Sequence, residues 1–280
     1  MDHPVPRKIV VAHSPDSDDA FMFYGMATQK IRSPLVSFQH VLEDIETLNH
    51  AAAESRYDMT AISYHAYPYV ADNYVLTTAG SSVGDGYGPI IVAQRPFTPE
   101  ELRSKTVAVP GVRTTAYLVL KLFQPDFQPL VIPFDRILQA VQDGEADAGL
   151  LIHEGQISFD QLGVHRVLDL GRWWKQTYGL PLPLGANAIL RSLDSDIRQE
   201  CCLMLRRSID YALSHREEAL SYAMQFARGL DSGLTEKFVG MYVNHFTLDG
   251  GALVVEAAQK MLDLGYEAGL IPCHVSVEFV

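Results

Sequence analysis

Short apolar runs alternate along the chain with stretches whose apolar residues recur every three or four positions. KIVVA (8–12) precedes DDAFMFYGMATQ (18–29), and LVSFQHV (35–41) precedes IETLNHAAAES (45–55). An apolar run bounded by turn signals predicts a buried strand, whereas the longer spacing predicts an amphipathic helix. The alternation predicts parallel strands joined by crossover helices, which is the α/β class.

A second set of strands and helices follows RPFTPEEL (95–102), with predicted strands in KTVAVPG, PLVIPF and ADAGLLIH. From Ser195 onward the pattern is helical almost throughout, and these helices need a sheet to cover. We therefore predict two α/β lobes with a cleft between them. The larger lobe comprises 1–93 and 189–280, and the smaller, inserted lobe comprises 94–188.

Chain length and net charge indicate how large a core the protein can bury and which binding partners to expect. The 280 residues, 48% of them hydrophobic, can bury the cores of two modest domains. Lys and Arg number 22 against 34 Asp and Glu, a net charge of -12, so we expect no nucleic-acid partner. The oligomeric state is left open.

Three cysteines, of which Cys201 and Cys202 are adjacent, form neither a disulfide framework nor a CxxC pair, which favours a reducing compartment. The apolar run at 9–12 is too short for a signal peptide or a membrane span. If Met1 is the true start, we expect a cytoplasmic protein with no membrane association.

Two stretches resemble ligand loops, but each has a simpler explanation. HSPDSDDAFMFY holds Asp16, Asp18 and Asp19, yet it lacks the later ligands and the glycine of an EF-hand loop. A turn whose Asp18 caps a helix beginning near Ala20 explains it, with Ser14 facing the cleft. GDGYG (84–88) has its third glycine one place early and is followed by proline, so we predict a crossover rather than a dinucleotide loop.

Polar residues at predicted strand ends are the candidate site. In VAVPGVRTTAY (107–117) a strand gives way to a helix at Thr114 and Thr115, where free N–H groups suit a carboxylate or phosphate and Arg113 could add charge. An ordinary N-cap threonine explains the same spacing. TAISYHAY (60–67) places Ser63 at the end of another strand, with Asn49 on a nearby helix.

His153 follows the run ADAGLLI at the carboxyl end of a predicted buried strand. Its imidazole titrates near neutrality and could accept a proton at physiological pH. From position alone, a histidine at a strand end is structural more often than catalytic. Glu154 could orient the ring or be solvated.

Taken together, these stretches resemble the 1,4-dihydroxy-6-naphthoate synthases, a menaquinone-biosynthesis family of the futalosine route. The resemblance covers nearly the whole chain and rests on FMFYG, VLEDIETLN, ISYHAY, VAVPGVRTTAY, LLIHE and GLPLPLGA, in that order. It implies a two-lobed fold like that of type II periplasmic solute-binding proteins. The implied substrate is cyclic dehypoxanthine futalosine, a small carboxylated molecule, and the products are 1,4-dihydroxy-6-naphthoate and dihydroxyacetone, formed without a cofactor or metal.

The resemblance also assigns roles to residues. It makes His153 the proton acceptor and places in the substrate pocket Asn49, Ala61, Ile62, Ser63, Thr114, Thr115 and Ala116. Some relatives carry a lysine where this chain has Ala61, so we take Arg113 as the cation that meets the substrate's carboxylate. The alternatives are chorismate dehydratase, whose members have an IGD-type segment in place of LLIHE, and a non-enzymatic solute-binding protein.

Overall fold

The computed structural model describes residues 5–227 and 230–280. Within them the strands are β1 (Arg7–His13), β2 (Val36–Leu42), β3 (Met59–Ser63), β4 (Tyr74–Leu76), β5 (Ser82–Gly84), β6 (Ile90–Ala93), β7 (Thr106–Val109), β8 (Gln128–Val131), β9 (Ala148–Leu151), β10 (His165–Asp169) and β11 (Leu182–Leu190). The helices are α1 (Ser17–Ala27), α2 (Ile45–Ala53), α3 (Thr115–Phe123), α4 (Ile137–Gln142), α5 (Gly155–Ser158), α6 (Leu170–Tyr178), α7 (Ser195–Ser214), α8 (Arg216–Ala223), α9 (Ser232–Tyr242), α10 (His245–Leu248) and α11 (Gly251–Glu267).

These strands form two sheets. The first has the order β2-β1-β3-β11-β4, with β5 also paired to β11, and the second has the order β10-β6-β9-β7-β8. The α/β class and the two-lobed architecture are therefore confirmed. We keep the name larger lobe for the part around the first sheet and smaller lobe for the part around the second.

The expectation of purely parallel sheets is wrong for two strands. β1 runs parallel to β2 and β3, and β7 runs parallel to β8 and β9. In contrast, β11 is antiparallel to β3, β4 and β5, and β6 is antiparallel to β9 and β10. Each of these strands is the first one after the chain crosses from the other sheet, so no crossover helix within its own sheet precedes it.

The same crossings bear on the predicted lobe limits. β6 was assigned to the larger lobe but pairs within the second sheet, and β11 was assigned mostly to the smaller lobe but pairs within the first. The chain therefore changes sheets between Gly84 and Ile90 and again before Leu182. The limits 93/94 and 188/189 misplace both strands because an apolar run does not reveal which sheet receives it.

Apolar packing explains the position of the helices. In α1 every residue from Ser17 to Met26 is buried, because the helix lies between the first sheet and the helices α7, α8 and α9. Such a helix is apolar on most of its surface rather than along one stripe. The helical character expected after Ser195 is confirmed by the five helices α7 to α11, up to Glu267.

The second crossing is anchored by a tryptophan. Trp174 in α6 is fully buried, and its indole N–H donates to the carbonyl of Pro181, 3.0 Å away, just before β11. Gly179 ends α6 in the left-handed region at φ +73°, a conformation that glycine adopts at little cost. Among the described residues, no helix is both long and apolar enough to cross a membrane.

Candidate active site

A cavity of about 740 Å³, including its mouth, lies between the lobes. A cleft between two lobes is a position where sites for small molecules commonly occur. Seven of the nine residues predicted for the site line it, and they come from both lobes: Ala61, Ile62, Ser63, Thr114, Thr115, Ala116 and His153. The structure thus brings together the strand ends that the sequence indicated.

Asn49 and Arg113 do not line the cavity, although both lie next to residues that do. The Asn49 amide donates to the Ser63 hydroxyl at 3.0 Å, and its oxygen accepts from the Ser63 backbone N–H at 2.8 Å. Asn49 therefore holds Ser63 from behind. The Arg113 guanidinium lies over the Tyr69 ring, 4.9 Å from its centroid, so pairing with a substrate carboxylate stays a prediction that this contact does not favour.

His153 lies two residues beyond β9 and has an unusual backbone. Its φ is +57°, in the left-handed region that non-glycine residues enter rarely and at a cost of about 1–3 kcal/mol. Its Nδ1 lies 2.9 Å from an Asp16 carboxylate oxygen, and the Phe134 ring packs edge-on at 4.7 Å between centroids. Its Nε2 is buried without a hydrogen-bond partner among the described residues.

Asp16 shifts the titration of His153. Burial favours the neutral ring, but the charge of Asp16, its hydrogen bond and the smaller contributions of the Glu154 and Asp18 charges together outweigh burial and raise the pKa of His153 to about 9. The hydrogen bond between His153 and Asp16 joins Nδ1 of the ring to one carboxylate oxygen. The pair leaves Nε2 as the nitrogen that can exchange a proton with a ligand.

The carboxylates of HSPDSDD line the cavity instead of capping a helix near Ala20. α1 begins at Ser17, so Asp16 is the N-cap residue, while Asp18 and Asp19 lie in the first turn. The prediction that Asp18 is the cap is therefore wrong. All three aspartates are buried and line the cavity, and the sequence analysis missed their place in the site.

Burial also changes the protonation of these carboxyls. It raises the pKa of Asp18 to about 7, with a smaller contribution from the charge of Asp16. Burial and the neighbouring Asp18 and Asp16 likewise raise the pKa of Asp19 well above its ordinary value. At neutral pH this wall of the cavity therefore carries less negative charge than its composition suggests.

The first turn of α3 also lines the cavity. Thr114 is the N-cap residue of α3, which was the simpler of the two explanations offered by the sequence. Its hydroxyl accepts a hydrogen bond from the Tyr117 N–H at 3.2 Å. The Thr115 hydroxyl donates to Leu184 O at 2.6 Å and accepts from His65 N–H at 3.2 Å. Both hydroxyls are thus used within the protein, so the N–H groups at the start of α3 are the donors left for a ligand.

Two further cavity residues carried no signal in the sequence. Tyr242 in α9 is buried, and its hydroxyl lies 2.6 Å from the side-chain amide of Gln156 in α5. Their meeting depends on how α9 packs against the smaller lobe. In the part of the chain that the structure describes, no three His, Cys, Asp or Glu residues are grouped to hold a metal ion.

Comparison with known proteins assigns this two-lobed site to a family. The family model described as menaquinone biosynthesis matches residues 9–267. The chain belongs to this family. This chain is 43% identical over 238 residues to a 1,4-dihydroxy-6-naphthoate synthase of Thermus thermophilus, and the alignment covers 85% of this chain and 86% of that protein. It is 34% identical over 268 residues to the synthase of Streptomyces coelicolor, covering 94% of each.

Solved structures of other proteins share the fold of this chain. A crystal structure of a protein from Archaeoglobus fulgidus superposes with a TM-score of 0.91 at 49% identity, covering 94% of this chain and 98% of that one. The alkanesulfonate-binding protein of Xanthomonas axonopodis pv. citri, bound to MOPS, superposes with a TM-score of 0.74 at 16% identity, covering 99% of this chain and 98% of that one. The second likeness shows the fold alone, and it confirms the periplasmic-binding-protein-like architecture.

Proposed function

We propose that the protein is a lyase of menaquinone biosynthesis that converts cyclic dehypoxanthine futalosine into 1,4-dihydroxy-6-naphthoate and dihydroxyacetone, with His153 as the general base. The synthase name of the relatives supports an enzyme and this activity. The observation that carries the role of His153 is its buried Nε2 in the wall of the interlobe cavity, which has no hydrogen-bond partner in the described part of the chain. A cytoplasmic location stays a prediction.

The chemistry needs only a positioned base and a site for the anionic end of the substrate. Nε2 removes a proton next to a carbonyl, and the electron pair left on that carbon expels the sugar-derived fragment as the bond to it breaks. The imidazolium then returns a proton to the departing fragment, and aromatisation of the second ring supplies driving force. General base catalysis of this kind contributes about 100- to 10,000-fold. The N–H groups at the start of α3 suit the substrate's carboxylate because the helix dipole favours negative charge there.

The acidic wall is compatible with an anionic substrate. Asp18 and Asp19 face the cavity, but the pKa of Asp18, raised to about 7, keeps a share of its carboxyl neutral near pH 7, and burial raises the pKa of Asp19 in the same direction. The repulsion of a carboxylated ligand is therefore reduced, and the carboxylate is expected at the α3 end of the cavity, away from α1.

Two substrates distinguish the synthase from its sister activity. Purified protein is incubated separately with cyclic dehypoxanthine futalosine and with chorismate, and the products are identified by mass. We expect dihydroxynaphthoate and dihydroxyacetone from the first and no reaction of the second. Conversion of chorismate would make the protein a dehydratase, and binding without turnover of either compound would favour a solute-binding protein.

The pH dependence of kcat/KM identifies the base. If His153 accepts the proton, its imidazolium must first lose one, so kcat/KM rises with pH through a midpoint near pH 9 and reaches its plateau only above that pH. A rise with its midpoint near pH 7 would instead point to Asp18 as the base. A fall through pH 9 would mean that His153 donates a proton, and the general-base role would be wrong.

A further inference from the structure

The bond between His153 and Asp16 joins the two lobes. Asp16 lies between β1 and α1 in the larger lobe, and His153 follows β9 in the smaller lobe. Their side chains are 1% and 16% exposed, respectively, so the 2.9 Å contact is shielded from water. A shielded contact of this kind between a charged acceptor and a ring N–H is stronger than the same contact in solvent.

Each partner is held by its own lobe. On the larger lobe, the Ser14 hydroxyl donates to the same Asp16 oxygen that meets His153, while the Ser14 backbone N–H donates to Asp19 at 2.8 Å. On the smaller lobe, the left-handed backbone of His153 and the edge-on Phe134 ring set the direction of the imidazole. Each group is therefore oriented by contacts within its own lobe, and the 2.9 Å bond between them is what depends on the distance between the lobes.

The contact also decides which nitrogen can react. Nδ1 carries the proton that is donated to Asp16, so in the neutral ring the lone pair lies on Nε2, the nitrogen that has no partner among the described residues. Without a carboxylate at Nδ1 the neutral ring can place its proton on either nitrogen. In a serine-protease triad, an aspartate in the same position fixes the tautomer, and its loss presents the wrong one.

We propose that Asp16 is the positioning residue for His153 and that, because it belongs to the opposite lobe, closing the cleft is what fixes the reactive tautomer. The proposal rests on the proposed function, which gives His153 its chemical role. In the open protein the neutral ring can carry its lone pair on either nitrogen, whereas in the closed protein the lone pair is fixed on Nε2, so that productive proton removal waits until the substrate is enclosed.

Other contacts across the cleft support closure as a defined state. The Ser17 hydroxyl donates to Glu154 at 3.0 Å, and Tyr242 meets Gln156 at the same side of the cavity. The charged groups that face His153 are Asp16, Asp18 and Asp19 from the larger lobe and Glu154 from its own turn. Of these, only Asp16 is bonded to the ring in the described residues, and its charge and bond raise the pKa of His153.

The test replaces Asp16 with asparagine and reads the ring directly. Two-bond proton–nitrogen correlations of the histidine rings, assigned with His153→Gln, report the tautomer and the pKa of His153. In Asp16→Asn we expect the pKa to fall by at least one unit and the proton to leave Nδ1 in part of the molecules. Ser17→Ala, which removes a neighbouring bond across the same cleft, is the matched control and should leave both properties of His153 unchanged.

Kinetics supply the second readout. For Asp16→Asn we expect kcat to fall at least tenfold, towards the about 10⁴-fold loss that this change causes in a serine-protease triad, with the pH midpoint of kcat/KM lowered and KM little changed. In a His153→Gln background the same substitution should cost nothing more, because two residues that act as one unit are not additive.

The outcomes separate the two proposals. A wild-type protein that turns over neither substrate contradicts the proposed function, and the ring correlations still decide the pairing. An unchanged tautomer and pKa in folded Asp16→Asn would overturn the role of Asp16, even if activity fell. If Asp16→Asn does not fold, Asp16→Ser takes its place, because serine also suits the start of a helix but removes the carboxylate, and an unchanged His153 tautomer there would count equally against the proposal.

Discussion

The left-handed backbone of His153 favours some replacements over others. Asparagine enters this region readily, whereas alanine costs about 1–2 kcal/mol there. We expect both His153→Asn and His153→Ala to lower kcat/KM by about 100- to 10,000-fold. His153→Asn should be the more stable by about 1 kcal/mol in the free energy of unfolding, measured by urea denaturation. Equal stability of the two variants would mean that the backbone relaxes when the ring is removed.

Residue patterns predicted the strand ends of the site better than their partners. Ser63 and His153 were found because an apolar run that stops at a polar residue predicts a side chain at the edge of a sheet. Asp16 was missed because an aspartate beside a helix start is typical of a cap. Its real partner is 137 positions away in sequence, on the other sheet, and no local spacing encodes that meeting.

At the scale of elements, the start of α3 is fastened to the larger lobe through Thr115. Its hydroxyl joins His65 N–H in the segment after β3 to Leu184 O in β11. Thr115→Val keeps the shape but leaves two buried backbone groups without this partner, so we expect a loss of about 1–3 kcal/mol in the free energy of unfolding. Thr115→Ser, which keeps the hydroxyl, should retain most of the stability.

Calorimetry with a bound ligand separates this role from direct binding. Loss of substrate affinity in Thr115→Val with unchanged stability would contradict the fastening role and favour direct contact between the hydroxyl and the ligand.

Helices were easier to predict than the direction of strands. IETLNHAAAES became α2, and the helical pattern after Ser195 became α7 to α11, because the spacing of apolar residues records which face is buried. YPYVADN (67–73) did not form an α-helix: a short 3-10 helix spans Tyr64–Tyr69 and contains Pro68, which cannot donate the hydrogen bond that a longer helix needs. The antiparallel β6 and β11 depend on how the chain crosses between sheets.

At the scale of the whole molecule, buried titratable groups set the pH range of stability. The pKa of His153 is raised to about 9 in the folded protein. The stabilisation of the folded state by the charged ring is therefore fully present below pH 6.5 and is lost as pH rises through 9. Burial lowers the pKa values of His13, His40 and His65 to about 3, 4 and 4, respectively. Because these rings stay neutral in the folded protein while they gain a proton in the unfolded chain, the folded state loses stability as pH falls below 6.5. The raised pKa values of Asp18 and Asp19 lower the stability as pH rises above about 4, the ordinary pKa of an aspartate, so we expect the greatest stability slightly below pH 6.5 and a decline on both sides.

Urea denaturation across pH 4 to 10 checks this expectation. His153→Gln should remove the decline between about pH 6.5 and 9, because the variant lacks the group with the raised pKa. If the difference in stability between the two proteins did not change over that range, the pairing of His153 with a carboxylate in the folded protein would be wrong.

Turnover should not depend on a metal ion, since the sequence offers no ligand loop and the resemblance implies none. After extensive dialysis against EDTA, kcat should stay within about twofold of the untreated protein, a difference of less than roughly 0.5 kcal/mol in activation free energy. Activity lost on chelation and regained with one divalent cation would reopen Asp16, Asp18 and Asp19 as ligands.

The tryptophan bonded at the second crossing gives the protein an optical probe of its own. Trp173 and Trp174 are the two tryptophans of the chain, and both lie in α6, where Trp174 is tied to Pro181 at the entry to β11. Fluorescence excited selectively in the indole ring therefore comes from one point between the lobes. Trp173→Phe would isolate the buried ring. A change in its emission as ligand is added would report lobe closure in real time without any attached dye, and constant emission would mean that this crossing does not move.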